Sequence, residues 1–144
     1  MCITFPSFEL LSLDRSPWQL LASCLWMMNL WFDMRFHAFL STTPDIEVVG
    51  QATTGEEAIS SVERLGPHVV VMDIRMPRMD GITATREIKD KYPHVHIIGL
   101  SEYAYGYHAD AMLKAGAAAV HQKPKATEEL YAAIKKVSGG HDSL

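Results

Sequence analysis

Cysteine is scarce in this chain, which has only Cys2 and Cys24 among its 144 residues. Two distant thiols exclude a disulfide scaffold, and without a Cys-x-x-Cys pair a cysteine-built zinc site is excluded too. Positive charge is also short. Thirteen Lys and Arg face seventeen Asp and Glu, a formal net charge of −4, so no basic surplus exists to neutralise a run of phosphates, and nucleic acid is not expected as a direct partner. No apolar run is long enough to span a bilayer. Trp18 to Phe32 comes nearest, but it contains Gln19 and Asn29 and follows Glu9 and Asp14 with Arg15 alone as basic flank. A spanning helix needs roughly 20 apolar residues, and a signal needs a positive flank. Internal repeats and low-complexity tracts are missing. What remains, 48% hydrophobic and 21% charged residues, is the composition of one soluble globular domain in a reducing, cytoplasmic setting.

From Ile46 onward, short β-branched runs alternate with helix-compatible stretches, the rhythm of a parallel sheet covered by helices. Ile46 to Gly50 reads as a strand. Gly55 to Leu65 reads as a helix with Ala58, Ile59, Val62 and Leu65 at core spacing, stopped by Gly66-Pro67. His68 to Asp73 is nearly continuously apolar, as a strand buried on both faces must be, and it ends on a carboxylate. Gly81 to Lys91 is the next helix and Val95 to Leu100 the next strand. Tyr103 to Lys114 is a helix weakened by Gly106 and stopped at Gly116, and Ala117 to Gln122 is a last short strand. Thr127 is the expected N-cap of a helix running to Val137, with Glu128 and Glu129 favouring its first turn. Ser138 to Leu144 is polar and expected to be flexible, with no output domain after it.

In an open parallel sheet, chemistry collects at the carboxyl ends of the strands, and three successive strands end in Asp73, Ser101 and Lys123. A strand-end carboxylate can attack a phosphoryl group when a cation and hydrogen-bond donors neutralise the transferring oxygens. Lys123 offers the cation and Ser101 the hydroxyl. Singly, each has an ordinary reading as a loop cap, a strand end or a solvated lysine; their joint placement is what points to a site.

The run Asp73-Ile74-Arg75-Met76-Pro77-Arg78-Met79-Asp80-Gly81 resembles the phosphoacceptor loop of the receiver domain of two-component response regulators. Leu100-Ser101 is similar to that family's strand ending in Ser or Thr, and Lys123-Pro124 to its active-site lysine and following proline; the resemblance spans roughly residues 34–137. It implies an α/β fold, a CheY-like, flavodoxin-like doubly wound five-stranded parallel sheet of order 2-1-3-4-5 flanked by five helices. It also implies that Asp73 takes phosphate from a sensor histidine kinase or phosphotransfer protein, that the state of Asp73 alters binding of a downstream effector protein, and that the Lys123-Pro124 bond is cis.

Two departures bear on that reading. Val120 stands where many receivers carry a Tyr or Phe that reports the phosphorylated state by rotamer exchange, so any switch here must run through the loop after Leu100 and the Tyr103, Tyr105, Tyr107 face. The resemblance also implies Mg²⁺, held by an acidic pair at the end of the first strand together with Asp73 and the Arg75 carbonyl. A gap-free count back from Pro44-Asp45-Ile46 puts that pair at Met27 and Met28, where thioethers are poor substitutes for hard oxygen ligands. The genetic code supplies a reason. Trp26 to Asp33 requires TGG ATG ATG AAY YTN TGG TTY GAY, and reading from the last base of each codon gives Asp, Asp, Glu, then permitted Pro and Leu, forced Val and permitted Arg. One surplus base near the Asp33 codon would restore the frame into Met34. Residues 1–33 are therefore expected to be an aberrant, out-of-frame segment, 34–137 the receiver domain, and the first strand poorly formed, leaving a vacancy at the sheet centre.

The leading expectation is a phosphorylated signalling module that is not an enzyme beyond weak autophosphatase activity. The alternative is a degenerate pseudo-receiver that binds partners independently of phosphorylation. A haloacid-dehalogenase-like phosphotransferase would need a second Asp where Arg75 stands. His94 and His96 share one strand face without a third ligand and suggest no metal site, and Gly50, Gly55 and Gly66 are too scattered to cradle phosphate.

Overall fold

The computed structural model describes residues 22–25, 46–103, 106–123 and 126–139. In chain order these form β1 (Ala22–Leu25), β2 (Glu47–Val48), α1 (Gly55–Leu65), β3 (Val69–Asp73), α2 (Gly81–Lys91), β4 (His96–Ser101), α3 (Tyr107–Lys114), β5 (Ala119–Gln122) and α4 (Ala126–Gly139). The strands make one parallel sheet of order β2-β1-β3-β4-β5, the doubly wound arrangement expected. Four helices lie among the described residues. The expected vacancy at the sheet centre is not found: β1 occupies it, with Ser23, Cys24 and Leu25 opposite Val69, Val70 and Val71.

All five residues of β3 are buried because helices cover both faces. Alternation then sorts its side chains. Val69 and Val71 join Ile98, Leu100, Leu130 and Ile134 under α4. Val70 and Met72 join Ala58, Val62, Ala84, Ile88, Ile97 and Met112 under α1, α2 and α3. Each fully buried Leu, Ile or Met contributes about 1.5–3 kcal/mol, so these two clusters hold the strand ends in a fixed frame.

Helix boundaries follow local chemistry where a side chain or a glycine dictates them. The Thr54 hydroxyl accepts from the Glu57 N–H at 3.2 Å to open α1, and Gly66, left-handed at φ 57°, closes it by donating to the Val62 carbonyl. Asp80 opens α2 by accepting from the Thr83 N–H at 2.7 Å. Several expectations are corrected. Gly106 at φ 116° does more than weaken the helix drawn from Tyr103: α3 begins only after it, at Tyr107. The last helix starts at Ala126, so Thr127 lies inside its first turn and is not the N-cap. The helix also passes Val137 to include Ser138 and Gly139, with the Ser138 hydroxyl donating to the Ile134 carbonyl. His94 sits in the turn before β4, so it does not share a strand face with His96. The expected Ile46–Gly50 strand is reduced to the two residues of β2. No helix among the described residues is long and apolar enough to cross a membrane. Met27, Met28, Tyr105, Pro124 with its expected cis bond, and residues 140–144 lie outside the described residues.

Candidate functional site

The loop after β3 is built to hold the end of that strand. The Ile74 N–H donates to the Leu100 carbonyl at 3.0 Å, which carries the β3–β4 pairing one residue past Asp73. The chain then turns through Arg78 at φ 67°, and the Gly81 N–H returns to the Ile74 carbonyl at 2.9 Å. A Cβ on Gly81 would stand 2.1 Å from the Asp73 carbonyl oxygen, so only glycine permits this return. Asp80, the other acid of the loop, is committed to capping α2.

Asp73 is 1% exposed. Its Oδ1 accepts from the Arg75 N–H at 3.0 Å, while Oδ2 faces Lys123 Nζ at 2.5 Å. Lys123 is thus the partner of Oδ2, in a short charge-assisted contact. Burial pushes the Asp73 carboxyl above its ordinary value of 3.8. Lys123 and the Arg75 N–H oppose that shift, Glu102 adds to it, and desolvation prevails. The site therefore holds a carboxylate that gains from any further cation or donor, with one cation already in contact.

Ser101 ends β4, is 9% exposed, and its Oγ accepts from the Tyr103 N–H at 3.2 Å. Asp73, Ser101 and Lys123 line one cleft, together with Ile74, Arg75, Glu102, Tyr103 and His108. All three strand-end residues singled out from the sequence are thus brought together. Glu102 and His108 were not anticipated. Glu102 reaches Arg75 across the cleft mouth, with Oε2 3.6 Å from Nη1. His108 arrives from the first turn of α3, and nothing in the local sequence signals that this turn overhangs β3. Val120, opposite Gly99 in β5, packs on the cluster containing Met72 and Met112, filling space as an aliphatic residue. Tyr103 and Tyr107 are 70% and 82% exposed.

Mg²⁺, which receiver domains generally bind, is poorly matched by this donor set. Among the described residues no group of three His, Cys, Asp or Glu could hold a metal ion. Of the ligands the resemblance implies, Asp73 and Arg75 lie among the described residues, and positions 27 and 28 lie outside them. An ion that takes six hard oxygens in strict geometry is not held by these residues, so no step is assigned to it.

Residues 33–135 match the response regulator receiver domain family. Among curated relatives, the uncharacterized transcriptional regulatory protein YhcZ of Bacillus subtilis (strain 168) is 42% identical over 106 residues, 74% of this chain and 49% of that protein. The transcriptional regulatory protein DegU of Brevibacillus brevis is 36% identical over 101 residues, 70% of this chain and 43% of that protein. The chain thus spans about half the length of the curated relatives it matches. Its net charge speaks for these residues alone, so the expectation that nucleic acid is no partner is not supported. Solved structures share the fold. The response regulator domain of Thermotoga maritima CheB has a TM-score of 0.74 at 25% identity over 81% of this chain and 95% of that one. A LuxR-family two-component response regulator from Aurantimonas sp. SI85-9A1 has a TM-score of 0.76 at 25% identity over 82% and 84%. With a buried strand-end aspartate, a facing lysine and a 2-1-3-4-5 parallel sheet already in view, this match establishes that the chain belongs to the response regulator receiver domain family, the signalling domain of two-component systems.

Proposed function

We propose that Asp73 is the phosphoacceptor of this receiver domain, that a histidine kinase's phosphohistidine or a phosphotransfer protein is the donor, and that the setting is cytoplasmic. One observation carries the reading: a carboxylate 1% exposed at the end of the central strand, with Lys123 Nζ 2.5 Å from its Oδ2. In the transfer, an Asp73 oxygen forms a bond to phosphorus as the phosphorus–nitrogen bond to imidazole breaks, and the imidazole keeps the electron pair. Lys123 then pairs with a phosphoryl oxygen in place of the carboxylate. The Ser101 hydroxyl, now accepting from Tyr103, is the group that can turn to donate to the new oxygens, which would alter the loop carrying the exposed Tyr103. Partner affinity then changes on the face made by α3, β5 and α4, and slow attack of water on the acyl phosphate resets the domain.

Labelling by a small phosphodonor tests this. Asp73→Asn should abolish incorporation and Asp80→Asn should not, because Asp80 is occupied as a cap. The reverse result would remove the strand-end assignment. Lys123→Ala should leave a phosphorylated protein that no longer changes partner affinity. The alternative reading, a phosphorylation-independent binding module, is favoured by one observation, that the described residues hold no acidic cluster able to bind a metal ion. It predicts no labelling at any Mg²⁺ concentration.

A further inference from the structure

We infer that residues 1–33 are an out-of-frame translation and that the native gene encodes Asp-Asp-Glu across codons 26–29, so that the protein in the cell has the divalent-ion ligands this chain lacks. The inference deepens the phosphoacceptor reading and rests on it only for its consequence at Asp73. It starts from the disagreement at the site, where the described residues hold no group of three His, Cys, Asp or Glu able to bind a metal ion.

Three independent observations meet at the same residue. The family match begins at residue 33. It therefore omits β1, although Ala22–Leu25 is a central strand of the sheet. A receiver sequence that diverged under selection would be expected to keep its middle strand recognisable as well as its edges.

Composition breaks at the same point. Both cysteines and all three tryptophans, Trp18, Trp26 and Trp31, fall within residues 1–33. That stretch contains no valine, glycine or lysine, whereas all nine glycines lie after it. A central parallel strand favours valine and isoleucine, and β1 reads Ala-Ser-Cys-Leu.

The genetic code supplies the third. Reading from the third bases of codons 23 and 25 gives NTG in both places, since Cys24 and Trp26 both begin TG. NTG encodes only Leu, Met or Val. The triplet between them permits Leu or Phe, and the one before permits Ile or Val. The next three triplets are forced, GAT GAT GAA. The shifted frame thus reads as an apolar strand over the positions β1 occupies, followed at once by two aspartates and a glutamate. That is the pattern already seen in β3, whose apolar run ends on Asp73. An arbitrary frame has no reason to produce an apolar strand and then acids at the one place where the site lacks them.

Two measurements test the inference without relying on phosphorylation. Genomic DNA sequenced through codons 18–36 should show CGA across codons 32 and 33 and one base fewer before codon 34 than the present sequence requires, so that the shifted frame runs directly into Met34. A TGA stop there, or a shifted triplet for a polar residue in the strand, overturns it. Tryptic mass spectrometry of the protein isolated from its source cells should find a peptide ending Asp-Asp-Glu-Pro-Leu-Val-Arg or a permitted variant of it. The peptide from Ser16 to Arg35 of the present sequence would overturn it instead. As the functional consequence, a chain carrying the shifted-frame residues in place of 20–33 should bind Mg²⁺ at least tenfold more tightly by titration calorimetry than the present chain. Equal affinity overturns the inference. Failure of Asp73 to label in that corrected chain would count against the phosphoacceptor reading, leaving the DNA and peptide results to decide the frame.

Discussion

Replacing Asp73 by asparagine should make the folded protein more stable at neutral pH, whereas replacing Lys123 by methionine should make it less stable. The two residues form one ion pair, and the opposite signs follow from unequal burial, since the Asp73 side chain is 1% exposed and that of Lys123 21%. Asparagine keeps an oxygen to accept from the Arg75 N–H and removes a charge that burial disfavours. The lysine left behind can turn toward water. Desolvation of the buried charge outweighs its pairing with Lys123, and replacing a buried ion pair by neutral groups is commonly neutral or stabilising, so a gain of ~1 kcal/mol is expected. For a domain of this size that raises Tm by about 3 °C. Lys123→Met instead strands the buried carboxylate without its cation, a loss of ~3 kcal/mol.

The pH dependence checks the cause. Because the folded-state pKa of Asp73 is raised above 3.8 by burial, the folded state binds its proton more tightly than the unfolded state. The destabilisation is absent below the ordinary value, grows as pH rises through the raised folded value, and is complete above it. The Asp73→Asn gain should therefore be full at pH 7 and vanish toward pH 3.5, while the Lys123→Met loss should shrink over a window extending to higher pH. Urea unfolding of both variants and the double variant from pH 3.5 to 8 measures this. A destabilised Asp73→Asn protein at pH 7, or a gain that stays constant with pH, would refute the claim that desolvation outweighs the lysine.

Gly81→Ala should cost about 3 kcal/mol in urea unfolding and reduce labelling at Asp73, because the new Cβ meets the Asp73 carbonyl oxygen at 2.1 Å and the loop must move away. Asp80→Ala should cost ~1 kcal/mol through the lost α2 cap while labelling persists. Gly66→Ala, at φ 57° with open space around the added methyl, should lower stability by about 1 kcal/mol from backbone strain alone, with labelling unchanged.

Much of this molecule was legible in its sequence wherever the cause was local. The bounds of α1 and α2 follow from capping residues and core spacing written into residues 54–66 and 80–91. The burial of β3 follows from its unbroken apolar run, and Asp73, Ser101 and Lys123 were identifiable as strand-end groups before any contact was known. Tertiary structure decided what depends on elements distant in the chain. The start of α3 was one such case, because the left-handed Gly106 ends the preceding loop where periodicity alone continued the helix back to Tyr103. The approach of Gly81 to the Asp73 carbonyl was another, since it depends on how α2 returns to the sheet. His108 joined the cleft for the same reason: the sheet order sets α3 beside the end of β3, and a residue 35 positions from Asp73 becomes its neighbour only once β4 has paired between them. Even the rise in the Asp73 pKa is of this kind, because desolvation comes from the two layers of helices and not from the residues flanking it in the chain.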